Sequence, residues 1–355
     1  MSSGEIDFDR LLEREPVRFD DGLLSERFAG RSVVIVGAGG SIGGALAELL
    51  LTHGAGLIVC AEAHEPSLFR LGLRLRARFD DSRLRLALVE LRDTARLERL
   101  IAEHRVDAVF QMAAYKHVPL SEENADQVVS VNVLATLDLA DAAARSGVAS
   151  FVYPSTDKAV RPPSIYGATK RVVELELLRR AAEGGPCRFA VARLVNVFGT
   201  AGNVIEIFTG QLAEGRALSV TDRRMTRYWM TRREATLLLA AGAGLPSPLG
   251  PLLLDVGEPV PLVRTAERLA ALLDRPMPRV EIIGPRPGER LHEELTYTYE
   301  ELVPTELPGV RAARARRVLP DARVTIEALR ASVRDGDAAR VRRLLTEAVD
   351  AMVAV

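Results

Sequence analysis

The sequence predicts an α/β fold in which a doubly wound parallel sheet carries helices on both faces, with a smaller mixed α/β region at the C-terminal end. Short runs rich in Val, Ile and Leu alternate with helical stretches over residues 32–193. These runs are apolar throughout, which is typical of strands buried on both faces. The first run, Ser32–Val36, leads directly into a glycine-rich turn and an apolar helical stretch. Such regular alternation indicates parallel strands joined by crossover helices.

The later elements follow from the same pattern. After a second strand at 57–61, the alternation predicts helix 65–78, strand 84–89, helix 94–104, strand 106–111, helix 125–146, strand 148–153, helix 164–183 and strand 187–193. Beyond these, prolines and glycines cluster at 242–261 and 276–288 with helical stretches between them. We therefore expect an arm at 1–30, a sheet domain at 31–195 and a second region at 196–355 that interleaves with it and ends in two helices.

Composition and charge narrow the classes of protein. The formal net charge of -1 gives no basic surface for nucleic acid. The longest apolar runs are shorter than the roughly 20 residues that cross a bilayer, and the acidic N-terminus lacks a signal-type apolar run. We therefore expect a cytoplasmic protein without a membrane partner. Cys60 and Cys187 lie in apolar runs and are expected to be buried core residues rather than metal ligands, nucleophiles or disulfide partners.

Lysine is rare in this chain. Of 47 lysine and arginine residues, only Lys116, Lys158 and Lys170 are lysines. Arginine stays protonated in a protein whereas lysine can be tuned to titrate, so a lysine in so arginine-biased a chain indicates a place where arginine will not serve. The alternative is compositional accident. Two of the three lie twelve residues apart, in one stretch around the end of the fifth strand.

The turn after the first strand predicts a dinucleotide site and hence a Rossmann-like domain. Its glycines follow a GxxGxxG spacing with one extra glycine. Glycines here let the backbone approach a pyrophosphate, and the next helix offers free N–H groups at its N-terminus. A tight turn would need glycine in any case, but the position after the first strand favours the dinucleotide. The residues expected to contact it are Gly37, Gly39, Gly40, Ser41, Ile42 and Gly43.

Four more residues are expected near the dinucleotide because each follows a strand. Glu62 ends the second strand, where an acid binds the adenosine ribose; its carboxylate accepts from the 2′-hydroxyl and repels a 2′-phosphate, which favours NAD and leaves NADP possible. Asp93 follows the third strand. Ala113 and Ala114 follow the fourth, where small side chains let the cofactor lie against the backbone. The alternative for both alanines is plain helix preference.

Two residue pairs carry candidate chemistry. Tyr166 and Lys170 are four residues apart in a helical pattern and so share a face. An ammonium group and an oxidised nicotinamide beside this phenol would favour the phenolate, a base for an alcohol. Asp157 and Lys158 are an adjacent acid and amine at the end of the fifth strand, suited to paired acid and base work in an elimination of water next to a carbonyl. The alternative is an ordinary loop ion pair.

Several motifs resemble one known family. In chain order they are AAYKHVP at 113–119, STDKAVRP at 155–162, YGATKR at 166–171, NVFG at 196–199, MTR at 225–227 and RPGERLHEEL at 286–295. Together they resemble the nucleotide-sugar 4,6-dehydratases of polysaccharide biosynthesis that act on UDP-N-acetylglucosamine, within the extended short-chain dehydrogenase/reductases. The resemblance covers about residues 10–300.

The resemblance implies a role for each candidate residue. Tyr166 with Lys170 would take the C4 hydroxyl proton while C4 is oxidised, and Thr156 would hydrogen-bond the C4 oxygen. Lys158 would then remove the C5 proton as Asp157 protonates the departing C6 hydroxyl. NAD would stay tightly bound and be regenerated in each turnover. The residues expected at the nucleotide sugar are Lys116, Asn196, Val204, Arg227, Arg286 and Glu289.

The sequence leaves the branch of the family and two other functions open. The arm at 11–17 resembles relatives with a membrane anchor, which usually carry methionine where Tyr166 stands, whereas the soluble inverting relatives carry tyrosine. Glu206 and Ala125 replace prolines usual in relatives. The C5 configuration of the product and the exact sugar therefore stay open.

A nucleotide-sugar 4-epimerase or dehydrogenase would use Tyr166 and Lys170 but would have no task for the Asp157–Lys158 pair. A non-catalytic dinucleotide-binding sensor is the alternative from a different class. We further expect a homo-oligomer, with a nucleotide sugar as partner, no nucleic acid and no metal.

Overall fold

A computed structural model describes residues 6–18, 20–245, 250–276, 279–284 and 286–353. The strands are β1 (Ser32–Val36), β2 (Leu57–Glu62), β3 (Leu84–Leu88), β4 (Ala108–Gln111), β5 (Ser150–Thr156), β6 (Arg188–Leu194), β7 (Asn196–Val197), β8 (Leu218–Val220), β9 (Thr226–Arg227), β10 (Trp229–Met230), β11 (Leu252–Leu254), β12 (Val260–Pro261), β13 (Val280–Ile282), β14 (Glu300–Pro304) and β15 (Val310–Ala315).

The α-helices lie between and after these strands. They are α1 (Asp21–Phe28), α2 (Ser41–Thr52), α3 (Glu65–Arg76), α4 (Thr94–Glu103), α5 (Val118–Glu123), α6 (Ala125–Val129), α7 (Thr136–Arg145), α8 (Ile165–Glu183), α9 (Val204–Ala213), α10 (Arg232–Gly244), α11 (Leu262–Leu272), α12 (Arg323–Arg334) and α13 (Ala338–Val353). Short 3₁₀ turns are found at Phe8–Leu11, Asp81–Arg83 and Asp157–Ala159.

Nine of the described strands form one sheet, in the order β14-β15-β11-β6-β5-β4-β1-β2-β3. The strands from β3 to β11 run parallel, and β15 pairs antiparallel with both β11 and the edge strand β14. The predicted α/β class with a doubly wound parallel sheet is confirmed. The strand order reverses between β1 and β4, so a crevice opens there beyond the carboxyl ends of the strands.

Successive side chains of each strand point to opposite faces of the sheet and so build the two layers of the core. In β1, Val34 and Val36 belong to the apolar cluster on one face of the sheet, and Val33 and Ile35 to the cluster on the other. Because successive side chains point to opposite faces, a strand covered on both sides must be apolar at every position. The two cysteines are buried in these layers and are not bonded to each other, as expected.

The long helix predicted at 125–146 is interrupted by a wider, π-helical turn at Ser130–Ala135. Within this turn Asn132 accepts from the Tyr115 backbone N–H at 2.9 Å and donates to the Tyr115 carbonyl at 2.8 Å. The turn therefore fixes the backbone next to Lys116. The whole stretch Ala125–Arg145 is long and apolar enough to cross a membrane by length and composition, but 72% of its apolar window is buried inside the fold.

Residues after β6 build a smaller lobe beside the crevice and also complete the main sheet. In the lobe, α9 and α11 pack with short strand pairs around a third apolar cluster, which includes Leu11 and Leu12 of the arm. The rings of Phe8, Phe198 and Trp229 stack nearly parallel, with centroids 5.9 and 4.4 Å apart. The arm is thereby fastened to the lobe, while α12 and α13 pack on α6 and α8.

A buried ionic cluster joins β6, α8 and β14. Arg193 pairs with both oxygens of Glu174, at 2.8 and 3.0 Å, and with both oxygens of Glu300, at 2.9 and 2.6 Å. Arg171 donates to Glu174 at 2.8 Å and to the Tyr299 hydroxyl at 2.8 Å. Burial raises the pKa of Glu174, but the two arginines outweigh it and lower that pKa to about 2. The Glu174 carboxylate is thus ionised at neutral pH.

Replacing Arg193 should destabilise the fold. In Arg193→Met two buried carboxylates lose their shared cation, and breaking a buried pair in this way costs about 3–5 kcal/mol. We expect a clearly lower urea midpoint, followed by far-ultraviolet circular dichroism. The control is Arg330→Met, which removes a surface pair with Asp138 and should cost less than about 1 kcal/mol. Equal midpoints for the two variants would contradict the importance of the cluster.

Candidate active site

A cavity of about 370 Å³ opens beyond the carboxyl ends of β1, β4, β5 and β6. The lysines at 116, 158 and 170 all line it, so each lysine of this chain lies at one site. The further predicted residues in its wall are Gly37, Gly40, Ser41, Ile42, Gly43, Ala114, Thr156, Tyr166 and Asn196.

The glycine turn at one end of the cavity fits a dinucleotide pyrophosphate. Gly37 has a φ of 84°, and a Cβ built on it would lie 2.6 Å from the backbone nitrogen of Ala113. A Cβ on Gly43 would collide with the Gly37 carbonyl oxygen. Within the described chain no side chain caps the N-terminus of α2, whose N-cap residue is Gly40. Free N–H groups and the positive end of the helix dipole therefore face the cavity.

The other predicted cofactor residues have different positions. Glu62 accepts from the backbone N–H of Gly39 at 3.0 Å and from those of Ala63 and His64 at 2.9 Å, which fixes its carboxylate beside the glycine turn. The backbone of Ala113 packs directly against Gly37. Asp93 is the N-cap of α4, where it accepts from the Arg96 N–H at 3.1 Å, and it does not reach the cavity wall.

The end of β5 places the acid and the amine side by side. Thr156 closes the strand, and its hydroxyl oxygen accepts from the Lys158 backbone N–H at 3.3 Å and donates to Asp157 Oδ1 at 2.9 Å. The same Oδ1 accepts from Lys158 Nζ at 3.0 Å. Asp157 is 1% exposed, and its Oδ2 has no hydrogen-bond partner among the described residues.

Glu293 is a residue of this site that the sequence analysis missed. Its buried carboxylate lies in the loop before β14, with Oε1 3.4 Å from Lys158 Nζ. Burial lowers the pKa of Lys158, but Asp157 and Glu293 outweigh burial and raise it above the ordinary value for lysine. The signal for it in the sequence is the acidic pair at 293–294, within the motif RPGERLHEEL at 286–295.

The helix that carries Tyr166 and Lys170 begins at the cavity. Burial raises the pKa of Tyr166 to about 12, while the charge of Lys158 and a hydrogen bond with Thr156 lower it. Asp157 opposes this lowering, and Lys158 is the cation whose charge acts on the phenol in this structure. Lys170 donates from Nζ to the Pro154 carbonyl at 2.8 Å and lies 4.4 Å from the Tyr153 ring centroid. Burial lowers the pKa of Lys170 to about 7, although Glu174 opposes this.

A second cavity of about 250 Å³ adjoins the first, and Lys116, Lys158 and Asn196 line both. Arg227 is buried in the wall of this second cavity and donates to the Thr226 and Leu291 carbonyls at 2.8 and 3.2 Å. All the residues predicted to bind the nucleotide sugar line this second cavity: Lys116, Asn196, Val204, Arg227, Arg286 and Glu289.

Comparison with known proteins identifies relatives of this chain. The profile of a family described as polysaccharide biosynthesis protein matches residues 33–315. The probable polysaccharide biosynthesis protein EpsC of Bacillus subtilis is 33% identical over 314 residues, which cover 88% of this chain and 52% of that protein. The chain thus spans about half the length of the curated relatives that it matches first.

Other relatives are covered over most of their length. A UDP-N-acetylglucosamine 4,6-dehydratase (inverting) of Campylobacter jejuni is 30% identical, over 77% of this chain and 82% of its own. A UDP-glucose 4-epimerase of Rickettsia conorii is 27% identical, over 77% of this chain and 80% of its own. The crystal structure of Pen from Bacillus thuringiensis superposes with a TM-score of 0.73 at 25% identity, over 81% of this chain and 93% of that one.

Gly37→Ala should weaken dinucleotide binding. The positive φ and the close approach to Ala113 force the turn to move, at a cost on the order of 1–3 kcal/mol. We expect the affinity for NAD, measured by calorimetry, to fall about tenfold or more. The control is Gly210→Ala in α9, where a Cβ would meet open space and helix propensity improves. Unchanged NAD affinity in Gly37→Ala would place the dinucleotide elsewhere.

The three lysines should titrate separately in protein without cofactor. With ¹³Cε-labelled lysine, we expect Lys170 to have a midpoint near 7, Lys116 one below the ordinary value because of burial, and Lys158 one above it. Replacing each lysine by arginine in turn assigns the signals. The unfolded chain keeps the Lys170 proton up to pH about 10.4, whereas the folded chain releases it near 7. Because the unfolded state then binds one more proton, the free energy of unfolding rises with pH between these two values. A Lys170 midpoint near 10 would contradict this environment.

Proposed function

This chain belongs to the family of polysaccharide biosynthesis proteins, and from that premise we propose that it is a nucleotide-sugar 4,6-dehydratase. The observation that carries the proposal is the Asp157–Lys158 ion pair, whose lysine lines the cavity beside Tyr166 while the aspartate is buried directly behind it. An oxidation at C4 needs Tyr166 and Lys170 alone. An acid and an amine within 3.0 Å of each other provide for a second step, the loss of water.

The first step is oxidation of the C4 hydroxyl group. NAD held along the glycine turn would supply the acceptor for the C4 hydride and the donor for its return to C6. Tyr166 takes the hydroxyl proton, and Thr156 holds the C4 oxygen. Positive charge next to Tyr166 favours its phenolate, and Lys158 supplies part of it. Lys170 lies one helical turn further on, where its buried amine faces the cavity.

The second step is elimination of water across C5 and C6. The C4 ketone makes the C5 proton acidic. Transfer of one proton from Lys158 Nζ to Asp157 Oδ1 gives a neutral amine and a carboxylic acid. The amine then removes the C5 proton, while the acid protonates the C6 hydroxyl, which leaves as water. The pair returns to its ionic form, and the proton that Tyr166 took from the C4 hydroxyl balances the proton that C5 regains at the end of the cycle.

The substrate class follows from the second cavity. Arg227 and Arg286 supply guanidinium groups for a diphosphate, and a substrate lying across the shared wall would bring its sugar to Lys158. UDP-N-acetylglucosamine is the substrate named for the dehydratase relative, and we propose it or a closely related nucleotide hexose here. The fixed Glu62 carboxylate favours NAD over NADP because it repels a 2′-phosphate. We also propose a cytoplasmic location and a homo-oligomer.

Incubation with UDP-N-acetylglucosamine in deuterated water tests the proposal. We expect a 4-keto-6-deoxy product that has lost one water and gained deuterium at C5, identified by mass spectrometry and NMR, with the C5 configuration read from coupling constants. Lys158→Ala should lower this rate by at least about 10²-fold while NAD binding by calorimetry is kept. An epimer formed without loss of water would instead make the protein a 4-epimerase. Turnover of no nucleotide sugar in a panel would leave the dinucleotide-binding sensor.

A further inference from the structure

Glu293 is a buried carboxylate with incomplete pairing. Its side chain is 3% exposed, and the same oxygen, Oε1, lies 3.4 Å from Lys158 Nζ and 3.9 Å from Arg227 Nε. The other oxygen, Oε2, is buried and has no hydrogen-bond partner among the described residues. Both contacts of Oε1 are longer than a normal charged hydrogen bond. Glu293 therefore loses most of its contacts with water on folding and gains few hydrogen bonds or close ion pairs in return.

A buried carboxylate of this kind destabilises the fold, so its presence indicates a functional role. A buried ionised group that lacks close partners lowers the stability of the folded state. Glu293 lines the second cavity, and Asp157, on the opposite side of Lys158, likewise has one oxygen without a partner among the described residues. The amine thus stands between two carboxylates, only one of which, Asp157, has a task in the two proposed steps.

We propose that Glu293 is a positioning residue for the elimination step, which holds the Lys158 amine toward the substrate and stabilises the positive charge that develops on it as the C5 proton is removed. This inference rests on the proposed function. A negative charge 3.4 Å from the amine makes it a stronger base, which suits a carbon acid. Preorganised charge aimed at a charge that develops in the transition state lowers the barrier.

The same oxygen connects the amine to the diphosphate side of the site. The charged and titratable groups that face Lys158 are Asp157, Glu293, Arg227 and Tyr166. Arg227 competes with Lys158 for Glu293 Oε1 in the absence of substrate. When Arg227 turns to an anionic substrate group, Glu293 is left to Lys158 alone. Glu293 thus becomes a full partner of the amine only after substrate binds.

The first experiment needs no substrate. In ¹³Cε-lysine-labelled protein, Glu293→Gln should lower the Lys158 midpoint by about one unit or more, because an opposite charge within 4–6 Å is removed. The matched control is the neighbouring Glu294→Gln, which breaks surface pairs with Arg161 and Arg290 and should leave the Lys158 midpoint unchanged. An unchanged midpoint in Glu293→Gln would overturn the contact itself, whatever reaction the protein catalyses.

The second experiment separates the two steps. On mixing with UDP-N-acetylglucosamine, Glu293→Gln should form the C4 ketone at close to the wild-type rate but lose water and exchange the C5 proton with deuterium about 10²-fold more slowly. The alkaline limb of the elimination should move to lower pH, since the Asp157–Lys158 pair then loses its shared proton more easily. Glu293→Asp keeps the charge and should restore part of the rate. Equal slowing of both steps, with no movement of the alkaline limb, would mean a merely structural role.

The outcomes for the two proposals are distinct. If wild-type protein eliminates no water from any nucleotide sugar tested, the proposed function fails, and the lysine titration still decides whether Glu293 acts on Lys158. If wild-type protein eliminates water and Glu293→Gln exchanges C5 at the wild-type rate, the positioning role fails and the dehydratase stands.

Discussion

The ionic cluster of Arg193, Glu174 and Glu300 holds together the two halves of the site, one at the end of β5 and the start of α8 and the other in the loop before β14. Glu174 lies one turn beyond Lys170 on α8, and Glu300 begins β14, directly after the loop that carries Glu293. Tyr297 in that loop donates to the Ala159 carbonyl at 3.0 Å, next to the Asp157–Lys158 pair. A parallel sheet alone would place the first half; the cluster brings the second half, distant in sequence, onto it. Its value lies in geometry more than in net stability.

Burial acts on Lys158 and Lys170 alike, yet their pKa values move in opposite directions. Lys170 has a backbone carbonyl and an aromatic ring as neighbours, so desolvation decides and its pKa falls. Lys158 has two carboxylates within 3.4 Å, and their charge outweighs desolvation. Arginine would remain charged in both environments. The presence of lysine rather than arginine at these two positions therefore has a physical reason. Lys170 can release its proton near neutral pH, while Lys158 keeps its proton.

Sequence patterns predicted the fold class and most of the cavity wall because both depend on local signals. Apolar runs, a glycine turn and residues at strand ends all place side chains without knowledge of distant contacts. The pairing of Glu293 with Lys158 depends on how a loop more than a hundred residues later returns to the site, and no local signal encodes that return. Asp93 shows how one position can serve two signals, since a residue after a strand also precedes a helix, and Asp93 caps that helix; its contact with a cofactor stays a prediction. The domain boundaries stay predictions.

The lysines at 116, 158 and 170 have a practical consequence for chemistry on this protein. Since each of them lines one cavity and the outer surface is arginine-rich, a reagent directed at primary amines finds, apart from the chain's α-amino group, only that cavity to attack. Lys116 is the most exposed of the three, so it is the amine that such a reagent reaches first. Coupling this protein to a surface or a dye through its lysines would therefore block the entrance of the cavity, whereas coupling through carboxylates on the outer surface would leave it open.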